Sequence, residues 1–344
     1  MPRRALTLLV AGVAVVVAAV AAAVLPVPYV ILSPGPTLNT LGKGPDGQPL
    51  IQIQGRRVHP TAGSLNLVTV NFQGGPGDQI NIFTALRAWL SPHDAVVPQS
   101  EVFGSGQTQQ QVQRQDTQQM AGSQQTATAA ALTELGIRYR TRVQVVSAEP
   151  RTPAAGVLRA GDLITAVNGA PVTSLSALSA RITAVGAGRR VRLTVTRNRK
   201  PLQLRLTTAL IGGRPVIGVV VQPSFSFPFT VNIRVGNIGG PSAGLMFALG
   251  IIDKLGSVNL TGGRFIAGTG EIQPNGAVLP IGGIQQKMAG ARAQGATVFL
   301  VPAANCADAA GAVPAGMRLI RVSTLAGAVH ALQALRAGGP VPSC

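Results

Sequence analysis

The sequence of 344 residues has few aromatic residues, few acidic residues and only two cysteines. Aromatic side chains make up 3% of it, so its hydrophobic cores must be built from Val, Ile, Leu and Ala. Only 11 acidic residues stand against 29 Lys and Arg, which gives a formal net charge of +18. A nucleic-acid-binding surface would interleave this charge with aromatic side chains, and that pattern is absent. We expect no nucleic-acid partner and attribute the charge to compositional bias, with attraction to an anionic membrane as the alternative.

Metal-binding and nucleotide-binding patterns are also absent. Cys306 and Cys344 form no C-x-x-C pair, and the histidines are isolated from one another along the chain. The phosphate-binding pattern G-x-x-x-x-G-K-[ST] does not occur, since Lys43 is followed by glycine. We therefore expect no metal site, no other cofactor and no ATP-driven motor in this chain.

The first 32 residues have the composition of a membrane anchor. Residues 5–25 form an uncharged run long enough to cross a hydrocarbon core of about 30 Å as a helix. Arg3 and Arg4 precede the run, and this charge bias favours an inside amino terminus with the rest of the chain outside. A cleaved signal peptide is the alternative, since residues 21–23 fit an A-x-A site. We favour an uncleaved single-pass anchor, because the run is longer than a usual signal-peptide core.

Both interpretations place the chain from residue 33 onward outside the cytoplasm. The predicted location is therefore the cell membrane, with most of the chain extracytoplasmic. In such a compartment Cys306 and Cys344 either pair as a disulfide or remain two thiols.

Residues 33–119 combine a loop-rich entry with a predicted strand and a predicted helix. SLNLVTVNF, at 64–72, alternates and is β-branched, which predicts a strand. INIFTALRAWL, at 80–90, has apolar residues at helical spacing. A Gln-rich stretch at 107–135 runs into an Ala-rich helix, which we interpret mainly as a solvated helix linking two units.

Residues 120–212 have the motif order of a PDZ domain. After a strand, the chain carries PAAG at 153–156, GDLI at 161–164 and NG at 168–169, then a helix and two strands. This run resembles PDZ domains of bacterial envelope proteases. The resemblance implies a groove in which an extended peptide, such as a substrate's C-terminal tail, adds to a strand edge. A small β-rich module that binds nothing is the alternative.

A lone serine stands at the start of an apolar helix in the stretch GNIGGPSAGLMFALG, residues 236–250. The preceding TVNIRV alternates as a strand, and the glycines with Pro241 make the turn. On this fragment alone, Ser242 is best interpreted as an N-cap, because serine is a preferred residue at that position.

Three motifs at ordered spacing favour a different interpretation. GPSAG at 240–244 is followed by TGEI at 269–272 and by VLPIGG at 278–283, with Lys287 shortly after. Together they resemble the proteolytic domain of Lon proteases over about residues 213–335. The resemblance implies that Ser242 and Lys287 form a catalytic dyad.

The chemistry of a serine–lysine pair is consistent with the surrounding residues. A serine hydroxyl is a weak nucleophile until a base takes its proton, and a lysine serves as that base once an apolar setting lowers its pKa. Lys287 lies between Ile284 and Met288, and a helix start at Ser242 offers free backbone N–H groups to an oxyanion. By resemblance, Thr269 orients the lysine. The supporting residues are completed by the neighbours of the serine: Gly240, Pro241, Ala243.

Two positions depart from the pattern of many ATP-dependent Lon enzymes. Gly239 replaces an acidic residue before G-P-S, and Gln285 and Gln286 stand in the G-G-x-K-E-K segment. An ATPase module is absent, and a membrane anchor with a PDZ domain stands instead. This arrangement resembles the membrane-anchored, PDZ-containing Lon-like proteases of Gram-positive bacteria.

The predicted fold class is α+β, with a Lon-type proteolytic domain, a PDZ domain and one transmembrane helix. The predicted domains are an anchor at 1–32, a first part of the protease fold at 33–119, the PDZ domain at 120–212 and the proteolytic domain at 213–344. Since the last segment is short for a complete Lon-type domain, we expect residues 64–90 to supply its first strand and helix, with the PDZ domain inserted.

The predicted function is an ATP-independent, membrane-anchored serine endopeptidase that cleaves unfolded or exposed protein segments. Its expected partners are protein or peptide substrates and the membrane, and Lon-type domains often form homo-oligomeric rings. A catalytically silent PDZ scaffold is the alternative. A signal-peptidase-like enzyme also uses serine and lysine, but the helix-borne serine and the PDZ domain argue against that fold.

Overall fold

The computed structural model describes residues 3–344, with side chains from residue 6 onward. The side chains of Arg3 and Arg4, on which the predicted orientation of the anchor rests, lie outside that part. The chain forms two compact units: a discontinuous unit, made of the residues up to Ile137 together with Phe229–Cys344, and an inserted unit, Arg138–Pro228. Both mix helices with sheets, so the α+β prediction is confirmed.

Most helices belong to the discontinuous unit, and α5 belongs to the inserted unit. The helices are α1 (Arg3–Val24), α2 (Ile82–Trp89), α3 (Gln99–Val102), α4 (Gln109–Glu134), α5 (Leu175–Val185), α6 (Gly244–Leu255), α7 (Ile284–Ala293), α8 (Cys306–Ala310) and α9 (Leu325–Arg336). A short 3-10 turn, Ala303–Asn305, precedes α8.

The strands fall into several sheets, of which the two largest have six strands each. In the first part of the discontinuous unit they are β1 (Pro26–Val27), β2 (Tyr29–Asn39), β3 (Ile51–Gln54), β4 (Ser64–Gln73), β5 (Ile80–Asn81) and β6 (Ala95–Pro98). In the inserted unit they are β7 (Arg140–Ala148), β8 (Leu163–Val167), β9 (Ala170–Pro171), β10 (Arg190–Arg197), β11 (Lys200–Thr207), β12 (Ala209–Ile211), β13 (Arg214–Val216) and β14 (Val219–Ser226). In the last part they are β15 (Thr230–Ile233), β16 (Phe265–Gly268), β17 (Glu271–Ile272), β18 (Val278–Leu279), β19 (Val298–Pro302) and β20 (Arg318–Val322).

The main sheet of the discontinuous unit joins its two chain segments. Its strand order is β20-β19-β16-β4-β2-β6. β4 pairs in parallel with β16, with Ser64 opposite Phe265 and Leu67 opposite Gly268, and antiparallel with β2. The strand predicted at 64–72 therefore lies in the same sheet as the strands that follow Ser242. The helix predicted beside it, α2, packs against β2 and β6 of this sheet and against the short strands β1 and β5.

Helices α6 and α7 cover opposite faces of this sheet. Neighbouring residues of a strand point to opposite faces. Ala267 of β16 joins a buried cluster with Met288 of α7, whereas Gly268 lies against Met246 of α6. Because a Cβ on Gly268 would lie 2.8 Å from the Met246 sulfur, glycine allows α6 to approach the strand closely. This arrangement brings the amino ends of α6 and α7 to one region, beyond the end of β16.

The Gln-rich and Ala-rich segment is not a solvated linker, and that interpretation was wrong. Its helix, α4, packs against α6, α9 and β17. Residues 127–132 are buried, as are Met120 and Ser123. The run of alanines leaves the helix surface flat, so that α4 and α6 pack at short range.

The inserted unit has the sheet order β11-β10-β8-β7-β14, with β9 paired to β8 and α5 packed against it. Asn168 and Gly169 both have positive φ and form the predicted tight turn between β8 and β9. The unit begins and ends later than the 120–212 range of the sequence analysis. At the start, α4 packs with the other unit, and at the end β14 pairs with β7 along its whole length.

A single helix in the described residues is long and apolar enough to cross a membrane. Within α1, Leu6–Val24 has a mean hydropathy of 2.7, and none of it is buried against the rest of the chain. At the other end of the chain, Cys306 and Cys344 are joined by a disulfide, so of the two alternatives left open by the sequence the structure has the paired one.

Candidate active site

Ser242 precedes helix α6 without capping it. The helix begins at Gly244, its N-cap residue is Ala243, and no side chain accepts a capping hydrogen bond there. The N-cap interpretation of Ser242 was therefore wrong. Its Oγ instead accepts a hydrogen bond of 2.9 Å from the Nζ of Lys287.

Lys287 lies in the first turns of α7 and is almost completely buried, with 4% of its surface exposed. Gly283, with φ of 66°, is the N-cap residue, and a Cβ there would lie 2.9 Å from a Val70 methyl group. Burial lowers the pKa of Lys287 from 10.5 to about 8, because desolvation penalises the charged ammonium. In the described part of the chain the ion pairs join other residues, so Lys287 has hydroxyl partners and no carboxylate partner.

Thr269 and Gly270 connect the serine to the lysine. The Thr269 hydroxyl accepts a hydrogen bond of 3.3 Å from Lys287 Nζ and donates one of 3.0 Å to the Ser242 carbonyl. The Gly270 N–H donates to the same carbonyl at 2.8 Å. Residues 265–272 do not form one continuous strand, because Thr269 and Gly270 bond to the serine segment between β16 and β17.

The turn before Ser242 is held by α4, which the sequence analysis did not connect with the site. Gly240, at φ of 83°, donates its N–H to the Asp116 carbonyl at 3.3 Å. The Ser123 hydroxyl donates to the Pro241 carbonyl at 3.0 Å. A Cβ on Gly239 would lie 2.5 Å from the Asp116 Cβ, so glycine is needed there. The buried face of α4, signalled by its alanines, was the feature from which this contact could have been predicted.

The VLPIGG turn before Lys287 is held by a further residue that the sequence analysis missed. The Asn305 side chain accepts from the Ile281 N–H and donates to the Ile281 carbonyl, both at 2.9 Å. Asn305 is buried, and this two-bond contact fixes the loop that leads into α7.

Backbone donors are also present beside the serine. Across residues 3–344, the N–H groups of Ser242 and Ala243 donate no backbone hydrogen bond. They lie at the amino end of α6, where helix geometry leaves N–H groups without intrahelical acceptors. Such groups are suited to stabilise a negatively charged oxygen.

A cleft of about 870 Å³ opens onto Ser242 and Lys287. One wall is the segment of β4 from Leu67 to Phe72, and the other is formed by α4 and the turn at 237–240. Its acidic residues are Glu101 and Asp116, and burial raises the pKa of the Asp116 carboxyl. The described residues include no group of three or more His, Cys, Asp and Glu side chains that could hold a metal ion.

Family models match two parts of the chain. A model of the PDZ domain matches residues 110–208, and a model of the Lon protease (S16) C-terminal proteolytic domain matches residues 233–332. Among solved structures, the PDZ domain of an SdrC-like protein from Listeria innocua is 30% identical over 23% of this chain and 92% of that chain, with a TM-score of 0.23.

Curated relatives match the segment around the site. Lon protease 2 of Herpetosiphon aurantiacus is 45% identical over 69 residues, which is 20% of this chain and 8% of that protein. Lon protease 1 of Bacillus subtilis is 35% identical over 92 residues, which is 26% of this chain and 12% of that protein. The chain thus spans only about a tenth of the length of these relatives. By these matches, residues 233–332 carry a Lon-type (S16) proteolytic domain and residues 110–208 a PDZ domain.

Proposed function

We propose that this chain is a membrane-anchored serine endopeptidase that works without ATP and uses Ser242 and Lys287 as a catalytic dyad. The observation that carries the proposal is the 2.9 Å contact between Lys287 Nζ and Ser242 Oγ inside an open cleft. The lowered pKa of Lys287 supports it, because a base must lose its own proton before it accepts one.

The reaction follows from these positions. Neutral Lys287 takes the Ser242 proton while Oγ attacks the substrate carbonyl carbon, which forms a tetrahedral intermediate with a negative oxygen. The N–H groups of Ser242 and Ala243 stabilise that oxygen. As the peptide C–N bond breaks, Lys287 gives the proton to the leaving amine, and an acyl-enzyme remains. Water then repeats the sequence with Lys287 as base, which releases the carboxylate product and free serine.

Thr269 is proposed as a positioning residue for both members of the dyad. Its hydroxyl contacts Lys287 Nζ and the Ser242 carbonyl, so its removal loosens the contact between base and nucleophile. Gly240, Pro241 and Ala243 are proposed to support the serine by fixing the turn and the helix start.

The proposed compartment is outside the cytoplasm, with α1 as an uncleaved single-pass anchor. The length and exposure of the apolar run in α1 support the anchor. The disulfide between Cys306 and Cys344 supports an oxidising compartment. We also propose that residues 33–137 and 229–344 together form the protease domain, with the PDZ domain inserted between them.

The PDZ domain is proposed to bind extended peptide segments of substrates, including C-terminal tails, by strand addition. Because the proposed enzyme works without an ATP-driven unfolding motor, its substrates are flexible or unfolded segments of extracytoplasmic proteins. We also propose that the chain assembles into a homo-oligomer, because it resembles Lon-type proteolytic domains, which often form rings. The mass of the chain in detergent tests this proposal.

The direct test is cleavage of an unfolded protein by the full chain in detergent, with and without ATP. We expect cleavage that ATP does not change, and a loss of about 10³-fold or more in Ser242→Ala, Lys287→Ala and Lys287→Arg. Arginine fails because its guanidinium keeps its proton at all accessible pH values.

Two exposed residues give matched controls, Ser257→Ala in the discontinuous unit and Lys200→Ala in the inserted unit. Both controls are expected to retain full activity. A Lys287→Ala variant that cleaves normally would contradict the dyad. A wild-type chain that binds peptides but cleaves none of them would favour the PDZ scaffold.

A further inference from the structure

Helix α2 carries its large apolar side chains on the outside. Five of them are 47–73% exposed, with Trp89 at 71% and Leu90 at 73%. The full set is Ile82, Phe83, Leu86, Trp89 and, at the C-cap, Leu90. Its buried face consists of small residues, Ala85 and Ala88, which pack against Ile31 and Ile80.

At 100° per residue the five exposed side chains share one arc of the helix surface, and Thr84, Ala85 and Ala88 share the opposite arc. In a helix of a soluble domain the large apolar residues face the core, so this order is reversed.

The position of α2 next to the candidate membrane span indicates what covers this face. Strand β1, directly after α1, pairs with β5, directly before α2, with Pro26 opposite Asn81. The Asn81 side-chain amide donates a hydrogen bond of 2.9 Å to the Ala23 carbonyl in the last turn of α1. Its Oδ1 accepts a hydrogen bond of 2.9 Å from the Thr84 N–H. One residue therefore caps α2 and bonds to the end of α1, so α2 begins where the span ends.

We propose that α2 is a membrane-interface helix, whose exposed apolar face inserts into the bilayer that α1 crosses. The proposal rests on the proposed anchoring by α1. Tryptophan and phenylalanine are favoured at the level of the lipid headgroups, and an amphipathic helix buries its apolar face about 5–10 Å into that region. Arg87, exposed in the last turn beside this face, is placed to contact lipid phosphates.

The consequence is a fixed height of the protease above the membrane. α1 alone is a single attachment about which the rest of the chain can swivel. A second contact through α2, which packs on β2 and β6 of the main sheet, holds that sheet close to the lipid surface. The substrates favoured by such an arrangement are segments close to the membrane.

Trp89 is the only tryptophan of the chain, so its fluorescence reports on α2 alone. The experiment places the full chain in vesicles of phosphatidylcholine with phosphatidylglycerol, and in matched vesicles whose acyl chains are brominated near the headgroup. The anchoring by α1 is measured in the same samples. An anchored chain floats with the vesicles in a density gradient and stays bound to them after a wash with alkaline carbonate. We expect the chain to float and the brominated lipid to reduce Trp89 emission by about twofold or more, because the indole lies at the interface.

A variant pair tests whether the apolar face causes the insertion. Phe83→Ser with Leu86→Ser is expected to lose most of the quenching while the chain still floats. Leu210→Ser, which changes a similarly exposed residue of the inserted unit, is expected to keep it. Equal quenching in both variants would overturn the proposal.

The outcomes separate this inference from the anchoring on which it rests. A chain that floats with unquenched Trp89 would overturn the interface helix and leave the anchor intact. If Trp89 is then also shielded from a water-soluble quencher, a second copy of the chain or another protein covers the face. A chain that does not float would overturn the anchoring and this inference with it.

Discussion

The two units of this chain bury an ionisable side chain in opposite ways. In the inserted unit, the Asp162 side chain is 1% exposed and accepts two hydrogen bonds of 2.7 Å from the guanidinium of Arg197. The Arg159 N–H adds a third at 2.9 Å. Burial raises the pKa of Asp162, but these bonds and the positive charge of the arginines outweigh it, so that the pKa is lowered.

Lys287 in the discontinuous unit is buried with hydroxyl groups only. No counterion offsets the desolvation of its ammonium, and its pKa falls to about 8. A buried charge with its counterion stays ionised at neutral pH, and removal of either partner leaves the other charge buried and unpaired. A buried lysine with hydroxyl partners costs stability, and it releases its proton within the range where enzymes work.

The largest effect on stability is expected from breaking the ion pair of the inserted unit. Arg197→Met leaves the Asp162 carboxylate buried without its guanidinium, which should lower the free energy of unfolding by about 3 kcal/mol. Urea unfolding followed by circular dichroism measures it. Arg192→Met, an exposed position on the same strand, is the control and should change stability little. Equal losses in both variants would remove the contrast between the units.

A change of opposite sign is expected at Lys287. Lys287→Met removes a buried charge and should raise the free energy of unfolding at neutral pH by as much as about 3 kcal/mol. The native state releases this proton near pH 8 and the unfolded state near 10.5. Between these values the unfolded state binds more protons, so wild-type stability rises with pH and the gain from methionine shrinks. A gain that stays constant from pH 7 to 10 would contradict the desolvation of Lys287.

A smaller effect is expected at Thr269, the hydroxyl partner of the buried lysine. Thr269→Val keeps the shape of the side chain and should lower kcat/KM by about tenfold, while Thr269→Ser retains most of it. Because valine accepts no hydrogen bond from the ammonium, the acid limb of the pH profile should also move to lower pH. A loss in the valine variant without that movement would assign Thr269 a purely structural role.

The sequence predicted the local motifs better than the long-range packing. The motifs around Ser242, Thr269 and Lys287 could be placed because their residue types and spacing are specific, and the structure brings the three side chains together. The helical capping of Ser242 was predicted from a single fragment and was wrong, because the hydrogen bond to Lys287 depends on a residue 45 positions away.

Helix α4 was the larger error. Its glutamines suggested exposure, but the contacts of Asp116 and Ser123 with the turn before Ser242 span more than a hundred residues. The alanines of the helix signalled a buried face, but the local pattern does not specify which segment packs against that face. Whether Cys306 and Cys344 pair was not decided from the sequence for the same reason, since spacing alone does not determine whether two cysteines meet.

The central claim is that buried Lys287 is the base for Ser242, and the pH dependence of kcat/KM tests it most directly. The measurement uses the full chain in detergent and a flexible peptide substrate, with folding monitored at each pH. The account predicts that activity rises with pH through an apparent pKa of about 8, the value at which Lys287 becomes neutral. A limb near 6.5, typical of histidine, or activity that does not change across pH 6 to 9, would contradict it.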